Sequence, residues 1–457
     1  MSHSDTPLRR ALSGRHMTMI GLGGVIGAGL FVSSGAVIGS AGPAAVVAYA
    51  VGGLLVVLVM RMLGELASAH PDSGSFSRYA ELALGRWAGF LVGWSYWYFT
   101  VAVVAFEAVA GAKLLGVPVW AGAPALLVAL TVANLVSVRL FGETEFWLAS
   151  AKVAFVVGFL AVGLLYVTGL WPGGGVGLSA LTEHGGFAPN GWGAVVIALV
   201  TVLFSYFGAE IVTIAAAESA EPAREVARAT IRVVWRVLIF YVGSVLLIVA
   251  VVPWEQIPVD GTASPFAVAI ERLGIPGAAT VMNVIVLVAV LSILNAGLYG
   301  ASRMLMSLAE RGDAPAALAR RTASGVPSRA VITGSGGALA LIIGASLIAP
   351  EQIFTLLMNC SGLLTLVLYI FVAVSQLRLR SRTEAAPVRM WGHPWLGSAV
   401  VALLLSVLLA VALSPGAAPV VAVVAGSIAV TLAAYAVRGL LHRKRIDRSE
   451  TPVAPRP

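Results

Sequence analysis

The sequence predicts an all-α integral membrane protein with about twelve transmembrane helices. Three observations predict it. Of 457 residues, 59% are hydrophobic and only 11% charged, whereas a soluble domain carries about a quarter charged residues. Apolar runs near the roughly 20 residues that a helix needs to cross hydrocarbon recur along the whole chain. Lysine and arginine fall in alternate loops, on one side of the membrane, rather than at random, as the positive-inside rule demands.

In chain order, residues 1–16, MSHSDTPLRRALSGRH, are polar and basic. They lack the apolar stretch and small-residue cleavage site of a signal peptide and are expected to stay as a cytoplasmic tail. The twelve spans are expected at 17–38, 44–66, 87–112, 119–138, 147–168, 193–217, 232–252, 277–302, 330–348, 353–376, 396–413 and 418–437. Proline and glycine mark many of their ends: Gly42-Pro43, Pro118, Trp171-Pro172-Gly173, Pro253, Pro327, Pro350, Pro415 and Pro419. A tail, 438–457, closes the chain. Its run Arg443–Arg448 anchors topology or holds anionic lipid headgroups, and its TPVAPRP end is disordered by composition.

With the amino terminus inside, every lysine and arginine of the 29 except Lys113, Arg272 and Lys152 lies on the inner side. Both termini are then expected in the cytoplasm and the chain in the inner membrane. The net charge of +8 belongs to these short loops and does not point to nucleic acid. Cys360 is the single cysteine, so no intrachain disulfide is possible. His3, His16, His70, His184, His393 and His442 show no metal-ligand spacing, and no GxxxxGK[ST] loop is present. No cofactor or metal is expected, ATP-driven transport has no support, and no nucleophile–base pair suggests an enzyme.

The first span holds GLGGVIGAGLF, residues 21–31, with five glycines. Glycine disfavours helix by about 1 kcal/mol against alanine. Lipid offers no partner to a freed backbone group. The stretch is therefore a close-packing helix face or a helix that comes apart where other groups satisfy it. The sixth span carries Phe204-Ser205-Tyr206-Phe207-Gly208-Ala209-Glu210, with a glycine and a carboxylate near its middle. Glycine-interrupted segments at matching places in two halves point to a transporter site between repeats. The two lie five spans apart, an odd number, so 17–168 and 193–376 are expected as inverted repeats, with 396–437 appended. Amides around Gly27, Ala28 and Gly29 would bind a carboxylate at a half-helix end, while Gly21, Gly23 and Gly24 serve packing.

Three ionisable groups lie inside spans: Glu107, Lys152 and Glu210. A charge at a helix centre costs about 2.5–3.5 kcal/mol on insertion scales, so these groups pair, are neutral or line a wet cavity. Glu107 shares a face with Thr100, Val104 and Gly111, where its carboxylate could meet a substrate ammonium or take up a proton. Lys152 either snorkels to the inner interface or acts within the membrane. Glu65 and Glu218, near inner ends, are expected to pair with Arg61 and loop arginines. Trp94, Tyr96, Trp97, Tyr98 and Phe99 read as helix packing and interface belt, with one ring free to wall a cavity. Asn295 and Ser361 read as interhelical hydrogen-bonding groups.

RHMTMIGLGGVIGAGLFVSSG, SAGPA, RMLGELA, PDSGSFSRYA, GETEFWLASAKV, FSYFGAEIVTIAAAESAEP and NAGLYGASRMLMSLAERGDAP together resemble bacterial amino-acid permeases of the amino acid/polyamine/organocation superfamily, in its amino-acid transporter branch. The likeness covers about residues 15–440. FGAEIVTIAAAES, ERGDAP and RMWGHPWL are most similar to the γ-aminobutyrate (GABA) permeases, although Gly29 stands where those carry serine. The resemblance implies a leucine-transporter-like fold of five plus five helices and proton-coupled amino-acid uptake. It implies that Val25, Ile26, Gly27, Ala28 and Gly29 bind the substrate carboxylate, and that Phe204, Ser205, Phe207, Gly208 and Glu210 form the second break, with Phe204 an aromatic gate. It also implies that Thr100, Val104 and Glu107 form a wall. Lys152, with Glu107 and Glu210, would couple to the proton, its ammonium taking the place of a sodium ion in related folds.

The expected function is import of GABA or a similar zwitterion with a proton. The alternatives are a permease or exchanger for proline, an aromatic amino acid or D-alanine/glycine, and a membrane sensor without transport. The sequence carries no sign of oligomeric state.

Overall fold

The computed structural model describes residues 14–175, 177–216, 222–259, 263–348, 350–382, 386–414 and 416–449. His3, Arg9, Arg10, Glu218, Pro415 and the TPVAPRP end lie outside them, as do the side chains of Ala28, Arg224, Arg228, Arg232, Arg236 and residues 441–449. Every regular element among the described residues is a helix.

The first crossing is split. α1 (Gly14–Gly23) ends at a glycine, residues 24–27 leave the helix, and α2 (Ala28–Phe31) and α3 (Ser33–Ala41) complete the passage. Gly42 turns the chain at φ +62°, and α4 (Ala45–Ala69) returns it. The amphipathic α5 (Ser75–Leu84) then leads into α6 (Arg86–Leu114), α7 (Val119–Val136) and α8 (Val138–Val167), the third to fifth crossings. After the short α9 (Ala180–Glu183), the sixth crossing is split again, between α10 (Gly191–Ser205) and α11 (Ile211–Ala216). α12 (Pro222–Val251) is the seventh crossing. The loop helix α13 (Pro265–Arg272) precedes α14 (Ala278–Glu310), and α15 (Ser328–Ile348), α16 (Pro350–Leu379), α17 (Trp395–Ala412) and α18 (Ala418–Ser449) follow.

Eight of the described stretches are long and apolar enough to cross a membrane, and 191–205, 238–251 and 328–344 are shorter apolar helices. One of the eight, Gly29–Ala69, runs through the turn at Gly42 and holds the second part of the first crossing and all of the second. The chain is thus a multi-span helical membrane protein. Burial sorts its helices: the apolar window of α6 is 78% buried, against 11% in α18, so α6 is central and α18 peripheral.

Several boundaries differ from the expected ones, two of them at helix starts and for one reason. α8 begins at Val138 rather than 147, and α12 begins at Pro222 rather than 232, because charged residues continue these helices instead of ending them. In α8 the charge lies inside: Glu145 is fully buried.

Candidate functional site

The two split crossings meet at their breaks. A Cβ added to Gly208 would lie 2.0 Å from the Gly24 carbonyl oxygen, and Gly208 holds φ +103°, a backbone state that L side chains rarely adopt. Gly24 therefore belongs to the break rather than to simple helix packing. One turn further, the Ser205 hydroxyl donates to the Gly29 carbonyl at 2.8 Å, and a Cβ on Gly29 would press on the Ser205 backbone at 2.7 Å. Gly27 faces the Ile293 side chain of α14. Tyr241 of α12 sets its hydroxyl between the carbonyls of Val25 (2.8 Å) and Ser205 (2.7 Å), joining the first break to the end of α10.

Helix ends leave backbone groups without intrahelical partners. Here side chains serve several. The Glu210 carboxylate accepts from the Gly208 amide, both oxygens at 3.2 Å. On the other side, Lys152 directs its ammonium to the carbonyls of Gly23 and Ile26 (the latter at 2.7 Å) and to the Ser292 hydroxyl at 2.8 Å. Three acceptors saturate an ammonium. A cation at the carboxyl end of α1 also sits where the helix dipole favours it. Lys152 is fully buried in mid-helix, so it does not snorkel.

Ser292 in turn donates to Glu145 Oε1, and Asn295 donates to Glu145 Oε2 at 3.2 Å. Asn134 extends the chain, donating to Asn295 Oδ1 at 2.9 Å. Asn295 is thus an interhelical hydrogen-bonding group, as its sequence position suggests. Glu145 was not among the residues that the sequence singles out. Its signal was the spacing: Glu145 and Lys152 are seven apart, two turns of one helix face.

Val25, Ile26, Gly27, Gly29, Phe204, Ser205, Phe207, Gly208 and Glu210 come together at the paired breaks, all buried. Thr100 and Val104 instead press on Gly297 of α14. The α6 face that meets the sixth crossing is aromatic: Phe99 lies edge-on to Phe207 at 4.4 Å, and Phe106 edge-on to Phe204 at 6.4 Å. Glu107 is buried with Oε2 lacking a hydrogen-bond partner among the described residues. A small cavity lies beside Glu210, lined by Tyr96, Phe207, Thr365 and Tyr369. The hydroxyls of Tyr96 and Tyr369 are buried without partners among the described residues.

Glu65 pairs with Arg380 at 2.7 Å, while Arg61 stacks over Trp391 at 3.7 Å. The expected pairing with a loop arginine is thus present, and among the described residues no ion pair joins Glu65 to Arg61.

The family model described as "Amino acid permease" matches residues 16–446. The gamma-aminobutyric acid permease of Bacillus subtilis (strain 168) is 45% identical over 418 residues, 89% of this chain and 88% of that protein. A probable GABA permease of Pseudomonas aeruginosa is 47% identical over 414 residues, 88% and 86% of the two chains. An aromatic amino acid transport protein of Corynebacterium glutamicum is 42% identical over 418 residues, 89% and 90%.

Proposed function

The chain belongs to the amino acid permease family, and from that premise we propose that it imports GABA or a similar zwitterionic amino acid together with a proton. The observation that carries this reading is the pair of facing breaks with Lys152 bound to the carbonyls of Gly23 and Ile26. Backbone amides at the start of α2 suit a substrate carboxylate. Glu107 and Glu210 are buried carboxylates suited to a substrate ammonium or a proton. Lys152 supplies a fixed positive charge where a coupling cation would otherwise be needed, and it can give that charge up as a proton.

In this reading residues 17–168 and 193–376 are inverted repeats, supported by breaks five crossings apart. The arginine-rich ends of the helices face the cytoplasm, with both termini there, in the inner membrane. The protein then acts as a transporter and not as an enzyme. Carrying a zwitterion with a proton moves net positive charge inward, which the membrane potential favours by about 2.3 kcal/mol per charge per 100 mV. The aromatic transporter among the relatives supports a second reading, in which the substrate is an aromatic amino acid.

The test is uptake into proteoliposomes under imposed gradients, with labelled GABA competed by a panel of amino acids. Uptake should rise with an inward proton gradient, ignore sodium, and be competed best by GABA. Indifference to both gradients would replace symport by exchange. Competition by an aromatic amino acid or proline, with GABA inert, would overturn the GABA assignment.

A further inference from the structure

Glu145 stands outside the two breaks and outside the roles proposed above, yet it is fully buried and bound through a hydroxyl to the one lysine in the membrane core. A buried charge without a partner costs several kcal/mol, so the pair is to be considered together. Lys152 donates to Ser292 Oγ, and Ser292 donates to Glu145 Oε1. The donors point one way, from ammonium to carboxylate, as a relay requires. Asn295 donates to the far oxygen, and Asn134 holds Asn295 from behind.

Gly23 ties this chain to the first break. Its carbonyl accepts from Lys152, and a Cβ there would sit 2.5 Å from Glu145 Oε1. The carboxylate thus reaches the end of α1 only because residue 23 has no side chain. Glu107 of α6 is a further buried carboxyl group that acts on Lys152 electrostatically, and Lys152 is the charged group that acts on Glu145, beside the hydrogen bonds from Ser292 and Asn295.

We propose that Glu145 is the proton acceptor of Lys152, with the Ser292 hydroxyl as the relay between them. One Nζ–H bond breaks as that proton bonds to Ser292 Oγ, while the original Ser292 proton passes to Glu145 Oε1. A neutral amine and a neutral carboxylic acid replace the ion pair, and no charge enters or leaves the core in the step. The amine keeps two N–H groups for the Gly23 and Ile26 carbonyls. Hydrogen bonds from a charged donor are roughly twice as strong as neutral ones, so the step loosens the hold on the first break, where the substrate carboxylate is proposed to bind. The proposal rests on the proton-coupled reading above and names the group through which the coupling acts.

The experiment compares wild type, Glu145→Gln, Ser292→Ala and Lys152→Ala in proteoliposomes. The probe is labelled GABA, or labelled phenylalanine should the competition panel favour aromatic substrates. Each variant is assayed for accumulation under an inward gradient of one pH unit and for counterflow exchange without a gradient. With one proton per substrate, wild type accumulates up to about tenfold, since one pH unit is a factor of ten in proton activity. Glu145→Gln and Ser292→Ala are expected to lose the accumulation, flatten the pH profile and keep most of the counterflow. Accumulation equal to wild type in both variants, with Lys152→Ala deficient, overturns the relay and leaves proton coupling standing. Loss of counterflow in the same proportion as accumulation also overturns it, because the residues would then be structural. A wild type that ignores the gradient overturns proton coupling itself. Should Glu145→Gln fail to yield monodisperse protein, Ser292→Ala, which removes one oxygen, decides alone.

Discussion

Glycine 208 shows how one residue fixes the geometry of the breaks. Its φ of +103° lies in the region that disfavours any Cβ, and the Cβ would also meet the Gly24 carbonyl oxygen at 2.0 Å. The neighbour is backbone and cannot rotate away. Gly208→Ala should therefore cost about 1–3 kcal/mol for the strained backbone alone, read as a lowered unfolding midpoint in detergent, with substrate binding lost. Gly158→Ala in α8, where a Cβ meets nothing within 4 Å, is the control and should leave stability unchanged or raise it by up to about 1 kcal/mol, the helix preference of alanine. Equal stability of the two variants would mean that the breaks need not approach so closely. Single residues of this kind were legible where they broke a pattern: Gly208 interrupts an apolar helix, and Lys152 puts a charge in one. Glu145 left only its seven-residue spacing to Lys152 as a signal, since GETEF reads as a polar loop until its partners are known. Those partners, Ser292 and Asn295, lie 147 and 150 residues away, and composition near Glu145 carries no trace of them.

Among the elements, the two split crossings act as a unit because a third helix joins them. The Tyr241 hydroxyl lies between Val25 O and Ser205 O, and with a single proton it serves one carbonyl at a time. Its ring stacks on Tyr206 at 4.4 Å and 23°, so Tyr241→Phe keeps the packing and removes only the hydroxyl. A buried polar group left without its partner costs about 1–3 kcal/mol. The variant should unfold at lower temperature and bind substrate more weakly, as measured by thermal denaturation and equilibrium binding on purified protein. Unchanged stability would mean that the two carbonyls find other partners. The breaks themselves were visible in the sequence, because glycine clusters in apolar runs are costly and need a reason. The joint between them was not, since Tyr241 looks like any aromatic residue of an apolar helix. On α6, the expected wall residues Thr100 and Val104 lie against Gly297, because small and branched side chains suit close approach to a glycine. The rings of Phe99 and Phe106 reach the sixth crossing instead.

At the scale of the molecule, charge separates from hydrocarbon, and the arginine-rich loops form a belt of ion pairs at one end. Asp313 is buried between Arg86, at 3.3 Å, and Arg438 of α18, so the peripheral last helix is tied to the central α6. Glu81 of the loop helix α5 bonds Arg311 at the end of α14 and Arg78 of its own helix, each at 2.9 Å. The arginine bias that predicts orientation thus also supplies these ties, although only the fold decides which acid meets which base. Burial pushes the Glu81 carboxyl up, but hydrogen bonds and charge from Arg311 and Arg78 outweigh it and hold the group below its ordinary value. A carboxyl held lower in the folded than in the unfolded state contributes stability that is fully present above the unfolded value. That contribution is lost as pH falls through the folded one. Wild type should therefore be more stable than Glu81→Gln at pH 7, and the difference should shrink once pH drops below the ordinary value of 4.5. Other carboxylates titrate in the same range but are common to both proteins, so the difference between the two unfolding curves isolates Glu81. A difference that stays constant from pH 7 down through that range would show that the α5–α14 tie holds by packing and neutral hydrogen bonds, with the charge of Glu81 contributing nothing.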